Sequence, residues 1–240
     1  MANNIIEGLQ KVAKEMDNEC SDVVEVALPH IKQRFSWDCG ISALLMVLGE
    51  DNRYFLRNNL REISLKEGFG RSTWSIDLAY LLRRFQVDHL YCTITFGVHP
   101  EFKNEEFYKQ TLTSDVQRVN EKFEQAYENY VQVQQRSVDI KEILDHLRNG
   151  FPAIVLVNAN ELACDVCASS KCWREWLTCC QLLPSYQGHY IVVCGFQQRG
   201  SRILYRNPAN SNRVCSTSFE AFNKARKSFG TDEDIIFVYQ

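Results

Sequence analysis

The apolar residues of this chain change their rhythm partway along, and that change constrains the fold more than any other feature. Through the first half they recur at helical spacing. An apolar run over 41–48 follows Cys39-Gly40, and the polar segment over 52–66 carries Leu56, Leu60 and Ile63. Beyond a glycine-rich break at 68–71, Ser72 to Asp77 reopens a helix with Leu78, Leu81, Leu82 and Phe85 on one face. Residues 23–28, stopped by Pro29, and residues 87–94 predict short strands. Residues 101–135 are polar and predict helix, with a capping box at Ser114-Asp115-Val116-Gln117. A further helix over 138–149 closes at Gly150. The last third turns to short runs rich in β-branched residues at 153–157, 190–194 and 235–238, with 202–205 a more mixed fourth. Thr217-Ser218-Phe219-Glu220 predicts one capped helix among them, ending at Gly230. Helices first and strands later indicate an α+β fold, not alternating βαβ units.

Residues 1–21 read as an N-terminal extension whose Ile5, Leu9, Val12 and Met16 allow an amphipathic helix, either packed on the domain or left as a disordered tail. Residues 22–240 read as a single domain with a cysteine-rich insertion at about 160–182. A net charge of −3 and a pI near 6.0 give no electrostatic case for nucleic acid. No segment approaches the roughly 20 apolar residues of a membrane helix, and the first residues lack the basic region of a secretory signal. Ten cysteines in that context point to free thiols or metal ligands, and to a cytoplasmic protein, the nucleus also being open. The oligomeric state is not specified.

The candidate chemistry centres on Cys39, in Gln33-Arg34-Phe35-Ser36-Trp37-Asp38-Cys39-Gly40, where a polar loop gives way to the apolar run. A helix N-terminus concentrates positive potential and unpaired N–H groups, which favour a thiolate and could hold an oxyanion. The Gln33 amide could add a donor. A buried structural cysteine at a helix start is the plain alternative. A thiol nucleophile needs a base, and of five histidines His189 stands out by opening a strand directly after Gly188. If 189–196 and 202–206 form a hairpin, Asn207 returns close to His189 and can accept its ring N–H; otherwise Asn207-Pro208 only starts a turn. Trp37 and Trp74 are the candidate substrate-binding walls of the cleft, or else packing residues. Thiol chemistry of this kind requires no cofactor. Cys164 and Cys167, with Cys172, Cys179 and Cys180, form a separate cluster that could hold a structural zinc or be only a cysteine-rich loop.

The order Gln33, Cys39-Gly40, Gly188-His189 and Asn207-Pro208 resembles papain-like cysteine peptidases, and within them the cysteine peptidase family 39-like group. More specifically, Trp37 to Gly40, Ser75 to Leu81, Ala153 to Asn158, Tyr186 to His189 and Gly230 to Ile235 resemble the guanylyl cyclase domain-containing, or guanylylate cyclase-like, family. That resemblance implies a papain-like fold, with a helical half carrying Cys39 and an antiparallel sheet half carrying His189 and Asn207. The peptidase group usually has Asp where this chain has Asn207. Three functions follow as expectations. The first is a cysteine hydrolase of peptide or isopeptide bonds, with a peptide or protein as substrate. The second is a guanylyl cyclase making cyclic GMP from GTP, as the family name implies. The third is a non-catalytic interaction module on the same scaffold.

Overall fold

The computed structural model describes residues 22–104, 112–166, 186–210 and 212–240. The proposed helix of the N-terminal extension lies outside them. An eight-stranded sheet forms the centre, with strand order β3-β2-β8-β4-β5-β6-β7 and β1 paired to β5 beside that path. The strands are β1 (Val23–Glu25), β2 (Asp88–Thr93), β3 (Val133–Gln135), β4 (Ala153–Asn158), β5 (Gly188–Gln197), β6 (Arg202–Arg206), β7 (Val214–Ser218) and β8 (Ile235–Tyr239). Among the described residues, only the β2–β3 pair is parallel.

Helices cover both faces of this sheet, which explains why its central strands are continuous apolar runs and not alternating ones. On one face lie α1 (Cys39–Val47), α2 (Glu50–Glu67), α3 (Ser75–Arg84) and α4 (Leu112–Glu124). Their core takes Ile154 and Leu156 from β4, Tyr190 and Val192 from β5, and Ile236 and Val238 from β8. The alternate residues Val155 and Val157, Ile191 and Val193, and Ile235 and Phe237 enter a second core beneath α5 (Ile140–Arg148) and α6 (Phe219–Arg226). Each large aliphatic side chain so buried stabilises the fold by roughly 1.5–3 kcal/mol. No helix among the described residues is long and apolar enough to cross a membrane.

The α+β class, with helices early and strands late, is what the apolar rhythm indicates. Several local expectations are corrected. Residues 101–135 are not helical throughout: a 3₁₀ turn (Pro100–Asn104) precedes α4, and the segment ends in β3 at the sheet edge. Ser114 lies inside α4, which begins at Leu112, so it is no N-cap. The strand β7 runs through Thr217, and Ser218 caps α6 by accepting the Ala221 N–H at 3.1 Å. That helix ends at Arg226, short of Gly230.

Strand β5 has three partners. It pairs β4 over 188–193 and β6 on its other side, and past a bulge at 193–195 the β4 side is taken over by β1. Gly195 permits this exchange, because a Cβ there would stand 2.1 Å from the Val24 carbonyl oxygen. Docking β1 at that point sends residues 26–38 across the molecule to the start of α1.

Candidate active site

All nine residues of α1 are buried, so its side chains leave no face for solvent and its first turn is fixed by packing. Asp38 precedes that turn without capping it. Its carboxylate instead accepts the N–H groups of Arg34 and Phe35, at 3.1 and 3.0 Å, and so folds the loop back on itself. Gly40 lets α1 approach the sheet, since a Cβ there would meet Thr73 Oγ1 at 2.9 Å and the Tyr190 ring at 3.1 Å. Cys39 is thereby pressed against β5 one residue along from His189, with the backbone groups of Tyr190 and Gly40 beside its thiol.

The hairpin of β5 and β6 returns Asn207 to His189. The Nε2–H of His189 donates to Asn207 Oδ1 at 2.9 Å. The same oxygen accepts the Ala209 N–H at 2.9 Å, in an Asx turn closed by Asn210 N–H donating to the Asn207 carbonyl at 3.0 Å. Because a backbone N–H can only donate, the Ala209 contact fixes which end of the Asn207 amide is oxygen. That in turn makes Nε2 the protonated nitrogen and leaves Nδ1 with the basic lone pair when the ring is neutral. The loop before Cys39 is clipped to this same turn. Gln33 N–H donates to the Pro208 carbonyl at 2.9 Å, and His30 Nε2 to that of Asn210 at 3.1 Å.

Burial decides the protonation states. It raises the Cys39 thiol above its ordinary value, an effect only partly offset by the neighbouring backbone groups, and it lowers His189 despite the Asn207 bond. Both groups are therefore neutral in the resting protein, and the thiolate expected from the helix N-terminus is not held. Cys39 and His189 share no hydrogen bond, and Gln33 Nε2 donates at 2.8 Å to the Phe35 carbonyl of its own loop.

The two tryptophans part company. Trp37 stacks on Phe35, rings parallel at 5.6 Å, and lines a pocket between the Cys39 loop, α1 and α2. Trp74 stands at the start of α3 with its indole N–H donating to Asp115 Oδ2 at 3.0 Å, and it packs on Phe102. Its backbone N–H donates to Asp77, a fully buried carboxylate that also pairs with Arg118 and with Lys122. Trp74 thus anchors a buried ionic cluster.

A polar chain behind Cys39 went unread in the sequence. Tyr190 and Ser75 hydroxyls lie 2.9 Å apart, and Tyr91 donates to Asp234 at 2.8 Å. Ser75 and Thr93 also bond to Asp234. Only the placement of a hydroxyl-bearing tyrosine directly after Gly188-His189 in an apolar run could have signalled it. Burial pushes Asp234 up to about 7, with the nearby Asp232 adding to it, and Asp232 itself up to about 6. Folding therefore favours the protonated carboxyls, and the stability this contributes is complete near pH 4 and lost as pH rises towards 7. Relative to Asp234→Asn, the wild-type melting temperature is expected to fall over that window. An unaltered slope would show that Asp234 does not titrate there.

Among the described residues no three His, Cys, Asp or Glu side chains are grouped to hold a metal ion. Cys164 is half-buried against the second core, while Cys167, Cys172, Cys179 and Cys180 lie outside the described residues, and the zinc expectation with them.

Comparison with known proteins adds three findings. A family model described as "Guanylylate cyclase" matches residues 28–238. "Guanylyl cyclase 1" of Arabidopsis thaliana is 40% identical over 216 residues, covering 88% of this chain and 75% of that protein. A crystal structure of a C39-like peptidase from Bacillus anthracis aligns with 91% of this chain and 97% of its own, at a TM-score of 0.49 and 14% identity.

Proposed function

The chain belongs to the guanylylate cyclase family, and within it we propose an enzyme of thiol chemistry that opens a peptide or isopeptide bond. The observation that supports this most is the Asn207–His189 hydrogen bond, which leaves the basic Nδ1 of His189 unencumbered on a strand packed against Cys39. In this reading the Cys39 proton passes to His189 Nδ1 as the sulfur attacks the substrate carbonyl. The imidazolium, held by Asn207, then protonates the leaving amine. Water, activated by the same ring, hydrolyses the thioester and returns the thiol. The uncapped first turn of α1 supplies N–H donors for the oxyanion. Because both partners start neutral, proton transfer accompanies attack. A reduced, reactive thiol suits the cytoplasm.

Gln33 joins this scheme if its amide swings from the Phe35 carbonyl to the oxyanion, and its Oε1, buried without a partner, offers nothing to hold it back. Gln33→Ala is then expected to lower turnover on the order of 10²-fold while Cys39 still alkylates. Unchanged turnover would remove Gln33 from the machinery.

A second reading follows from the relative called a guanylyl cyclase. Its test is cyclic GMP formation from GTP with Mg²⁺ or Mn²⁺ in the wild type and in Cys39→Ala. Turnover that survives the substitution would establish the cyclase and overturn the thiol mechanism. A protein that neither turns over GTP nor reacts through Cys39 would act as an interaction module.

A further inference from the structure

The pocket behind the Cys39 loop joins an aliphatic floor to a cationic rim. Its floor is aliphatic, formed by Ile41 and Leu45 of α1 with Leu56 and Leu60 of α2. Its rim carries Lys32 and Arg34 from the loop and Arg57 from α2, all exposed, and none of the three forms an ion pair among the described residues. The acidic group there, Asp38, is buried and spends its carboxylate on two backbone N–H groups of its own loop. Three unpaired cations around one apolar recess stand out on a chain whose net charge is −3. The Phe35 ring, 58% exposed and stacked on Trp37, extends the apolar surface outward at the same rim.

We propose that this recess docks an acidic peptide segment of a partner protein, with one large apolar side chain in the pocket and flanking carboxylates on Lys32, Arg34 and Arg57. Charge complementarity argues for that occupant. An uncharged apolar segment would leave three cations facing buried surface, whereas Asp or Glu on either side of the anchor satisfies them. Asp38, whose carboxylate braces the rim, immediately precedes Cys39, so a partner held there touches the loop that leads into the candidate active site. Docking does not require Cys39 to react, so binding alone reads it.

The test is fluorescence anisotropy of a labelled 12-residue peptide, on the order of the length that spans such a recess, with a central Leu-Phe pair flanked by Glu and Asp. The full chain and its Cys39→Ala form are expected to bind it equally, with Kd on the order of 10 µM in low salt and weaker binding in high salt. Lys32→Glu combined with Arg57→Glu is expected to weaken binding about tenfold or more, and replacing the peptide's Glu and Asp by Gln and Asn to do the same to the wild type. Changing its Leu-Phe to Ser-Ser should abolish binding. Affinity that ignores both the charge reversal and the peptide's charges would overturn the proposal. So would GTP displacing the peptide from the wild type, which would assign the cations to a polyphosphate.

Discussion

Replacing Cys39 by alanine is expected to abolish labelling at residue 39 by a thiol-directed electrophile and, on the proposed hydrolase reading, to lower peptide hydrolysis by roughly 10⁴-fold or more, with the fold intact. The structure makes the pH profile of labelling the sharper observation. With the thiol raised and His189 lowered by burial, two routes to the reactive sulfur coexist. Above the thiol's raised pKa it ionises unaided. At lower pH it reacts only as His189 accepts the proton, on a limb that rises through the lowered imidazole pKa and then levels. Wild type is expected to show both limbs, and His189→Ala only the high-pH one. Mass spectrometry of alkylated Cys39 across pH reads this directly. Superimposable profiles would mean that His189 does not serve Cys39, and the hydrolase reading would fall with it.

The largest effect on stability is expected at Asp77. This carboxylate is fully buried, pairs with Arg118 and with Lys122 at 2.9 Å, and accepts the Trp74 N–H at 2.9 Å. Arg118 and Lys122 are themselves only 14% and 12% exposed. Asp77→Ala removes the anion shared by these two sheltered cations, leaving Arg118 with Asp115 at 3.2 Å and Lys122 with Glu67 at 3.5 Å, and costs about 3 kcal/mol, because both cations stay largely desolvated. For a chain of this size that lowers the melting temperature by roughly 10 °C. Chemical denaturation gives the free energy independently. A loss below about 1 kcal/mol would show that water screens the cluster as it does surface pairs.

These two cases also mark what the sequence discloses. The α+β class was legible because the apolar period changes along the chain, and the strands at 153–158, 188–197 and 235–239 are strong signals because both their faces are buried. Strand β3 was not legible: Val133-Gln134-Gln135 is short, mostly exposed and defined only by the neighbour it joins at the sheet edge. The strand β7 was hidden beneath the capping signal at its own end. At the site, a strand after Gly188, a turn at Gln197 to Gly200 and Asn before Pro were enough to suggest that Asn207 returns to His189. Protonation was not legible, because helix position argues for a thiolate while burial, a property of the whole fold, outweighs it. The Tyr190 and Asp234 chain depends on residues far apart in sequence and leaves no local pattern.

The bonds that clip residues 30–33 to the turn at 207–210 have a bearing on the order of assembly. Cys39 emerges early during synthesis, yet the strand it rests on and the turn that steadies its loop come some 150 residues later. At the usual pace of translation the thiol waits on the order of ten seconds for its partners. Closing so long a loop is slow, and nothing local can substitute for it. A nascent or truncated chain therefore carries Cys39 as an ordinary thiol, and whatever reactivity the site acquires arrives only when the last third of the protein has been made.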